Sequence, residues 1–154
     1  MGFLRAGDVI SGQEARAYAT IDGNVEEMFY IKKIKATAKK KKKKLKTLGH
    51  RGEQSKASGW EGTGSGTIYY VTSIFRRMML EYIKNGKDIY FDIMIVNEDP
   101  TSTIGQQIII LKNVNLDETV LASIDVDSEA LEEDFNFTFD DVDMPEAFKK
   151  PILG

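Results

Sequence analysis

The sequence predicts a mainly β fold carrying one α-helix, built as an antiparallel β-barrel or two-sheet sandwich. Three observations predict it. Apolar and polar residues alternate with a period of two in four separate stretches. Turn residues separate these stretches at hairpin spacing. Only one stretch, 73–85, carries the 3.6-residue period of an amphipathic helix. At 154 residues, with no linker and no internal repeat, the chain reads as a single domain spanning 1–154.

Each element has its own signal. In 15–21 the residues Ala15, Ala17, Ala19 and Ile21 alternate with Arg16 and Thr20, which makes a half-buried strand. Asp22-Gly23-Asn24 follows and supplies a tight turn. The segment 28–38 reads as the returning strand, and 28–48 as a protruding hairpin whose tip is the lysine run 39–44. Six glycines between 49 and 66 make that stretch a flexible surface arm. The β-branched and aromatic run 67–72 is a strand. In the helix, Ile74, Phe75, Met78, Met79, Tyr82 and Ile83 form one stripe. Thr72 or Ser73 is placed to cap its start and Gly86 to end it. Strands follow at 89–95, at 108–111 (apolar on both faces), at 120–126 and at 135–139, where Phe135, Phe137 and Phe139 share a face. The stretch 97–105 is a turn-rich loop, and 144–154, with Pro145 and Pro151, runs irregularly over the surface.

Composition removes several classes of function. There is no cysteine, so there is no disulfide framework, thiolate site or cysteine nucleophile, and the single histidine, His50, rules out a multi-histidine cage. No uncharged apolar run approaches the ~18 residues of a membrane span, and the first residues lack a signal-peptide core. The net charge of −3 conceals a division. Residues 1–60 hold 14 Lys+Arg against 6 Asp+Glu, whereas 61–154 hold 7 against 18. Between Asp117 and Glu146 lie twelve acidic residues and no basic one. Opposite charge at two ends of one chain suits head-to-tail self-association.

Individual motifs carry little catalytic chemistry. The glycine-rich 59–66 lacks the Lys-Ser/Thr of a P-loop and precedes a strand rather than a helix. Asp125-Val126-Asp127 begins like a calcium loop, but the sixth position is Ala130 and the twelfth Asn136. Glu98-Asp99 reads as a turn former, and His50 has no nucleophile signature beside it. No acid, base and nucleophile converge, which leaves a β-rich enzyme as the weakest reading, and no cofactor is expected. The run Lys39, Lys40, Lys41, Lys42, Lys43 and Lys44 has functional pull, because six consecutive lysines neutralise phosphates or an acidic surface. Aromatic residues are not interleaved with it, and no recognition helix is available. A small, non-specific nucleic-acid-binding β-barrel using this basic hairpin is the alternative reading.

Several collinear stretches, 10–23, 56–64, 82–92, 97–105, 128–139 and 142–148, resemble the tail tube proteins of PBSX-type prophages and related contractile-tailed phages. The resemblance covers nearly the whole chain. The lysine run departs from it, since family members usually carry a hairpin of more mixed charge there. The resemblance implies a β-barrel core flanked by a helix, of the type shared with type VI secretion tubes, and a non-enzymatic, cofactor-free role. It also implies rings of six copies joined into one barrel around a channel. Such rings stack into the inner tube of a contractile tail or phage-tail-like bacteriocin, driven through a target envelope. The implied partners are further copies of the chain, a tail sheath protein, baseplate or tube-initiator and tail-terminator proteins, and DNA where the particle carries a genome. The subunit itself would belong to a virion or tail-like particle made in a bacterial cytoplasm, without stable insertion in a membrane.

On this reading the subunit and ring interfaces fall on Lys39–Lys44 and on Gly59, Trp60, Glu61, Gly62 and Gly64, with Trp60 as the anchor of the arm. Asp125, Asp127 and Asp140, on the wet faces of their strands, are candidates for the channel lining or for an acidic interface. An acidic lining repels DNA phosphates and lets a genome slide.

Overall fold

A computed structural model describes residues 2–28 and 30–153. Eight strands pair antiparallel in the order β2-β1-β5-β6-β7-β4-β3, with β8 added beside β6. They are β1 (Ala15–Ile21), β2 (Asn24–Glu27), β3 (Ile31–Leu45), β4 (Gln54–Tyr69), β5 (Phe91–Glu98), β6 (Gln106–Thr119), β7 (Glu132–Phe139) and β8 (Asp141–Glu146). The helix, α1 (Ile74–Asn85), lies between β4 and β5 in the chain, and a short 3₁₀ turn, Ala6–Asp8, precedes β1.

The aromatic row of β7 organises the core. Phe135, Phe137 and Phe139 all point inward and are buried, as their alternation predicts. Phe75 of α1 packs on Phe135 with ring centroids 4.7 Å apart and on Phe91 at 6.3 Å. Ala17, Ala19, Ile93, Leu111 and Val114 close the other side. The helix begins after Ser73 and ends at Gly86, whose left-handed φ of 68° stops the winding. Thr72 Oγ1 accepts the Ile74 N–H at 3.3 Å, while Ser73 makes no side-chain cap. Of the predicted apolar stripe, Phe75 and Met78 are buried, whereas Tyr82 and Ile83 are exposed.

Strand β6 joins the two halves of the sheet. Its first part pairs with β5 and β8, and its last residues, from Asn115 to Thr119, pair with β7. The switch occurs at Asn113, a non-glycine residue at φ 54°, where the register with β5 shifts between Phe91 and Ile93. Asp92 Oδ1 accepts the Asn113 N–H at 3.2 Å, and Asp140 Oδ1 accepts its side-chain amide at 2.8 Å. A bulge held in this way bends the strand and lets one strand serve both halves.

The structure differs from the sequence-based reading in four places. The partner of β1 is the short β2, paired from Ile21↔Asn24 to Tyr18↔Glu27 through an Asp22-Gly23 turn in which both φ angles are positive. Of the predicted strand 28–38, Met28 N–H still donates to the Ala17 carbonyl of β1 at 2.7 Å, whereas 31–38 do not return along it, and Phe29 lies outside the described residues. Instead β3 pairs with β4 along its whole length, so the long hairpin spans 31–69 and its tip is 46–53. The lysine run lies on a strand of this ribbon, not at its tip. The glycine-rich stretch expected to be a flexible arm is the ribbon's returning strand. Residues 120–131 form no strand, and over 125–130 Asp125 and Ser128 satisfy nearby backbone groups in local turns, an alternative to ladder pairing. Finally, the expected irregular tail contains β8, where Pro145 is tolerated at a sheet edge.

Candidate functional site

The ribbon is the feature that leaves the body of the molecule. Strand β7 supports β4 only as far as Gly62, opposite Phe139, so Lys39–Leu45 and 54–61 continue with no third strand beside them. Seven residues at a strand rise of about 3.3 Å carry this pair roughly 23 Å outward. An isolated two-stranded ribbon is marginal in water. Between 39 and 61 it holds nine Lys+Arg and two Asp+Glu. Lys39, Lys40, Lys41, Lys42, Lys43 and Lys44 are all exposed. Lys41 Nζ lies 4.0 Å from Glu61 and Lys44 Nζ 3.6 Å from Glu53. Among the described residues, the other four lysines of the run have no carboxylate within 4 Å. Lys43 stands directly opposite Lys56, a like-charge pair that favours a counter-charged partner.

At the ribbon's root the glycines have a packing role that the sequence reading missed. Gly62, Gly64 and Gly66 pair with Phe139, Phe137 and Phe135. A Cβ added at these glycines would come within 2.5, 2.2 and 2.6 Å of the respective rings. The signal was present in the sequence as two matching i, i+2 series, glycine in one segment and phenylalanine in another. Gly59 sits beside the bulge between Lys41 and Lys42 at φ 144°, a backbone geometry closed to other residues. Trp60 faces Lys40 across the ribbon and extends the aromatic row, its ring 6.0 Å from Phe139. It remains 43% exposed, so it caps the core and still presents a face outward. Glu61 pairs with Lys39 on the opposite face.

The sheet β6-β7-β4-β3 thus has one apolar face, toward Phe75, and one polar face. On the polar face Lys35, Ser65 and Asn136 line two open hollows of about 490 and 410 Å³. Thr67 Oγ1 donates to Asp134 at 2.6 Å beside them. The acidic candidates lie apart from this arrangement. Asp125 and Asp127 are exposed in the loop after β6, and Asp140 is engaged by Asn113 at the strand switch. Among the described residues no three His, Cys, Asp or Glu side chains gather to hold a metal.

A buried ion pair fixes the helix to β7. Glu133, 2% exposed, accepts from Arg76, whose guanidinium also donates to the Thr72 carbonyl and lies 4.4 Å over the Tyr70 ring. At the N-terminus, Asp8 and Asp99 hold neighbouring loops together. Asp8 accepts from Thr103 Oγ1 at 2.5 Å and from the Arg5 N–H at 3.0 Å. Asp99 accepts from Thr101 Oγ1 and N–H and from the Ser11 N–H. In both carboxylates the threonine side-chain hydrogen bond is the leading cause of a lowered pKa.

Known proteins resemble this chain in sequence and in fold. Residues 2–146 match the family described as phage tail tube protein. The chain is 44% identical over 143 residues to the phage-like element PBSX protein XkdM of Bacillus subtilis strain 168, covering 93% of this chain and 95% of the relative. In fold it resembles a chain of an extracellular contractile injection system, the PVC sheath-tube complex in its extended state, with TM-score 0.67 and 12% identity over 90% of this chain and 93% of the other. It also resembles a chain of the anti-feeding prophage tube-terminating cap, with TM-score 0.71 and 10% identity over 94% and 96%.

Proposed function

The chain belongs to the phage tail tube protein family, and from that premise we propose that its copies close into rings, six to a ring, which stack as the hollow inner tube of a contractile tail. It is a structural subunit of a phage or phage-like tail and not an enzyme. The observation that carries the assembly reading is the outer edge of β3, a 15-residue strand that among the described residues is paired on one side only. A long unpaired edge is a liability in a monomer and an asset in a closed ring, where a neighbour satisfies its backbone groups. The polar face of β6-β7-β4-β3, with Ser65, Thr67, Asn136 and Thr138, suits the wall of a water-filled channel. The opposite side, carrying α1, then faces a sheath.

The basic ribbon, including Trp60, reaches an adjacent copy or ring, and the acidic surfaces between Asp117 and Glu146 are its counterpart. The nucleic-acid-binding alternative gives way to the family assignment, and DNA passes through the tube only if the particle carries a genome. On contraction the tube is driven through the target envelope.

Sedimentation tests the charge-paired assembly. The concentrated protein pellets as large particles near physiological ionic strength, and the pelleted fraction falls at 1 M salt, where the Debye length shrinks from about 8 Å to 3 Å. A pelleted fraction indifferent to salt would contradict the ionic contact.

A further inference from the structure

One stretch of the sequence has strand character that its own chain does not use. Residues 120–127 alternate Val120, Ala122, Ile124 and Val126 with Ser123, Asp125 and Asp127, yet they lie outside the sheet. Ile124 and Val126 are each 92% exposed. The segment continues directly from Thr119, the last residue of β6.

The edge of β3 is its chemical complement. Ile34 and Ala36 pair with Gly66 and Gly64 and so share the apolar face, while Lys33 and Lys35 point to the polar face. Beside that edge a groove of about 740 Å³ opens between β3 and β1, lined by Ile31, Ile34, Ala36, Ile95 and Ile109. A strand laid there with Ile124 and Val126 on the apolar face places Asp125 and Asp127 against Lys33 and Lys35. Direction agrees as well. The four strands β6-β7-β4-β3 alternate in sense, so β3 runs opposite to β6, and an extension of β6 from another copy meets β3 antiparallel.

We propose that residues 120–127 of one copy add as a strand to the outer edge of β3 in the next, with their aspartates on Lys33 and Lys35. The contact is heterologous, using a different surface on each copy, so it propagates head to tail and closes when the rotation allows. The inference rests on the ring reading above and names the two surfaces that meet. In the monomer Asp125 accepts the N–H groups of Asp127 and Ser128 in a local turn, and addition exchanges these bonds for ladder hydrogen bonds and burial of two β-branched side chains.

The absence of cysteine makes the test direct. Single variants Lys35→Cys and Asp125→Cys, carrying tags of different size, are mixed under assembly conditions and oxidised. The expected product is a disulfide-linked heterodimer well in excess of either homodimer. Independently, Asp125→Lys/Asp127→Lys reduces the pelleted fraction at least tenfold, and adding Lys33→Glu/Lys35→Glu to the same chain restores it. Tubes from the unmodified protein, with no heterodimer and an unaffected Asp125→Lys/Asp127→Lys variant, overturn this contact and leave the tube reading standing. A heterodimer without tubes upholds the contact and counts against the tube. Neither product overturns both.

Discussion

Glycines 62, 64 and 66 show how far a single atom matters in this chain. Each leaves room for the ring of a phenylalanine on the neighbouring strand, so the row of rings lies flat over β4. At Gly64 a methyl group would stand 2.2 Å from Phe137, a residue 1% exposed with no space to retreat. Overpacking of that kind costs about 1–3 kcal/mol. Gly64→Ala is therefore expected to lower the unfolding free energy by that amount, read as a lower midpoint in urea. Adding Phe137→Leu to the same chain recovers part of the loss. A Gly64→Ala protein as stable as the unmodified chain would show that the rings do not press on the strand.

Among elements, the N-terminal segment and the loop 97–105 depend on Asp8 and Asp99. Both carboxylates have folded pKa values below the ordinary 3.8. A depressed value means that the folded state binds protons less readily than the unfolded one, so these groups stabilise fully above about pH 4 and lose that contribution as pH falls through their lowered values. Asp99→Asn is expected to be less stable than the parent at pH 6 and to lose less on acidification from pH 5 to pH 3. Urea midpoints of the two proteins at these pH values check it, and parallel acid losses would contradict it. This loop was legible in the sequence from its Pro, Asp and Gly content, as were α1 and β7 from their periods. The β3-β4 ribbon was not. Consecutive lysines look like a solvated tip because they repel, and glycines look flexible; their strand status comes from pairing, and for the glycines from the Phe row, neither of which a local window contains. The stretch 120–126 failed in the opposite sense, since its alternation describes a strand for which the same chain offers no partner. Of the candidate residues, Lys39–Lys44 and Trp60 come together on one ribbon, whereas Asp125, Asp127 and Asp140 do not share a face.

At the scale of the whole molecule, the sheet is an incomplete barrel whose unfinished parts are the ones with functional promise. The outer edge of β3 is unpaired, the ribbon extends beyond its support, and the segment after β6 is patterned for a strand it does not form. Unfinished parts of one charge repel their own kind in another copy, as the lysines along β3 do. Together the unfinished parts carry complementary charge and apolar surface, which is the condition for repeated head-to-tail contact. Family membership over residues 2–146 gives that contact its context in a tail tube. Negative-stain electron microscopy of the purified, concentrated protein tests this most directly. Rings or hollow rods of one width are expected, and a field of particles no larger than monomers at every concentration, with purified baseplate present to nucleate them, would overturn the ring assembly.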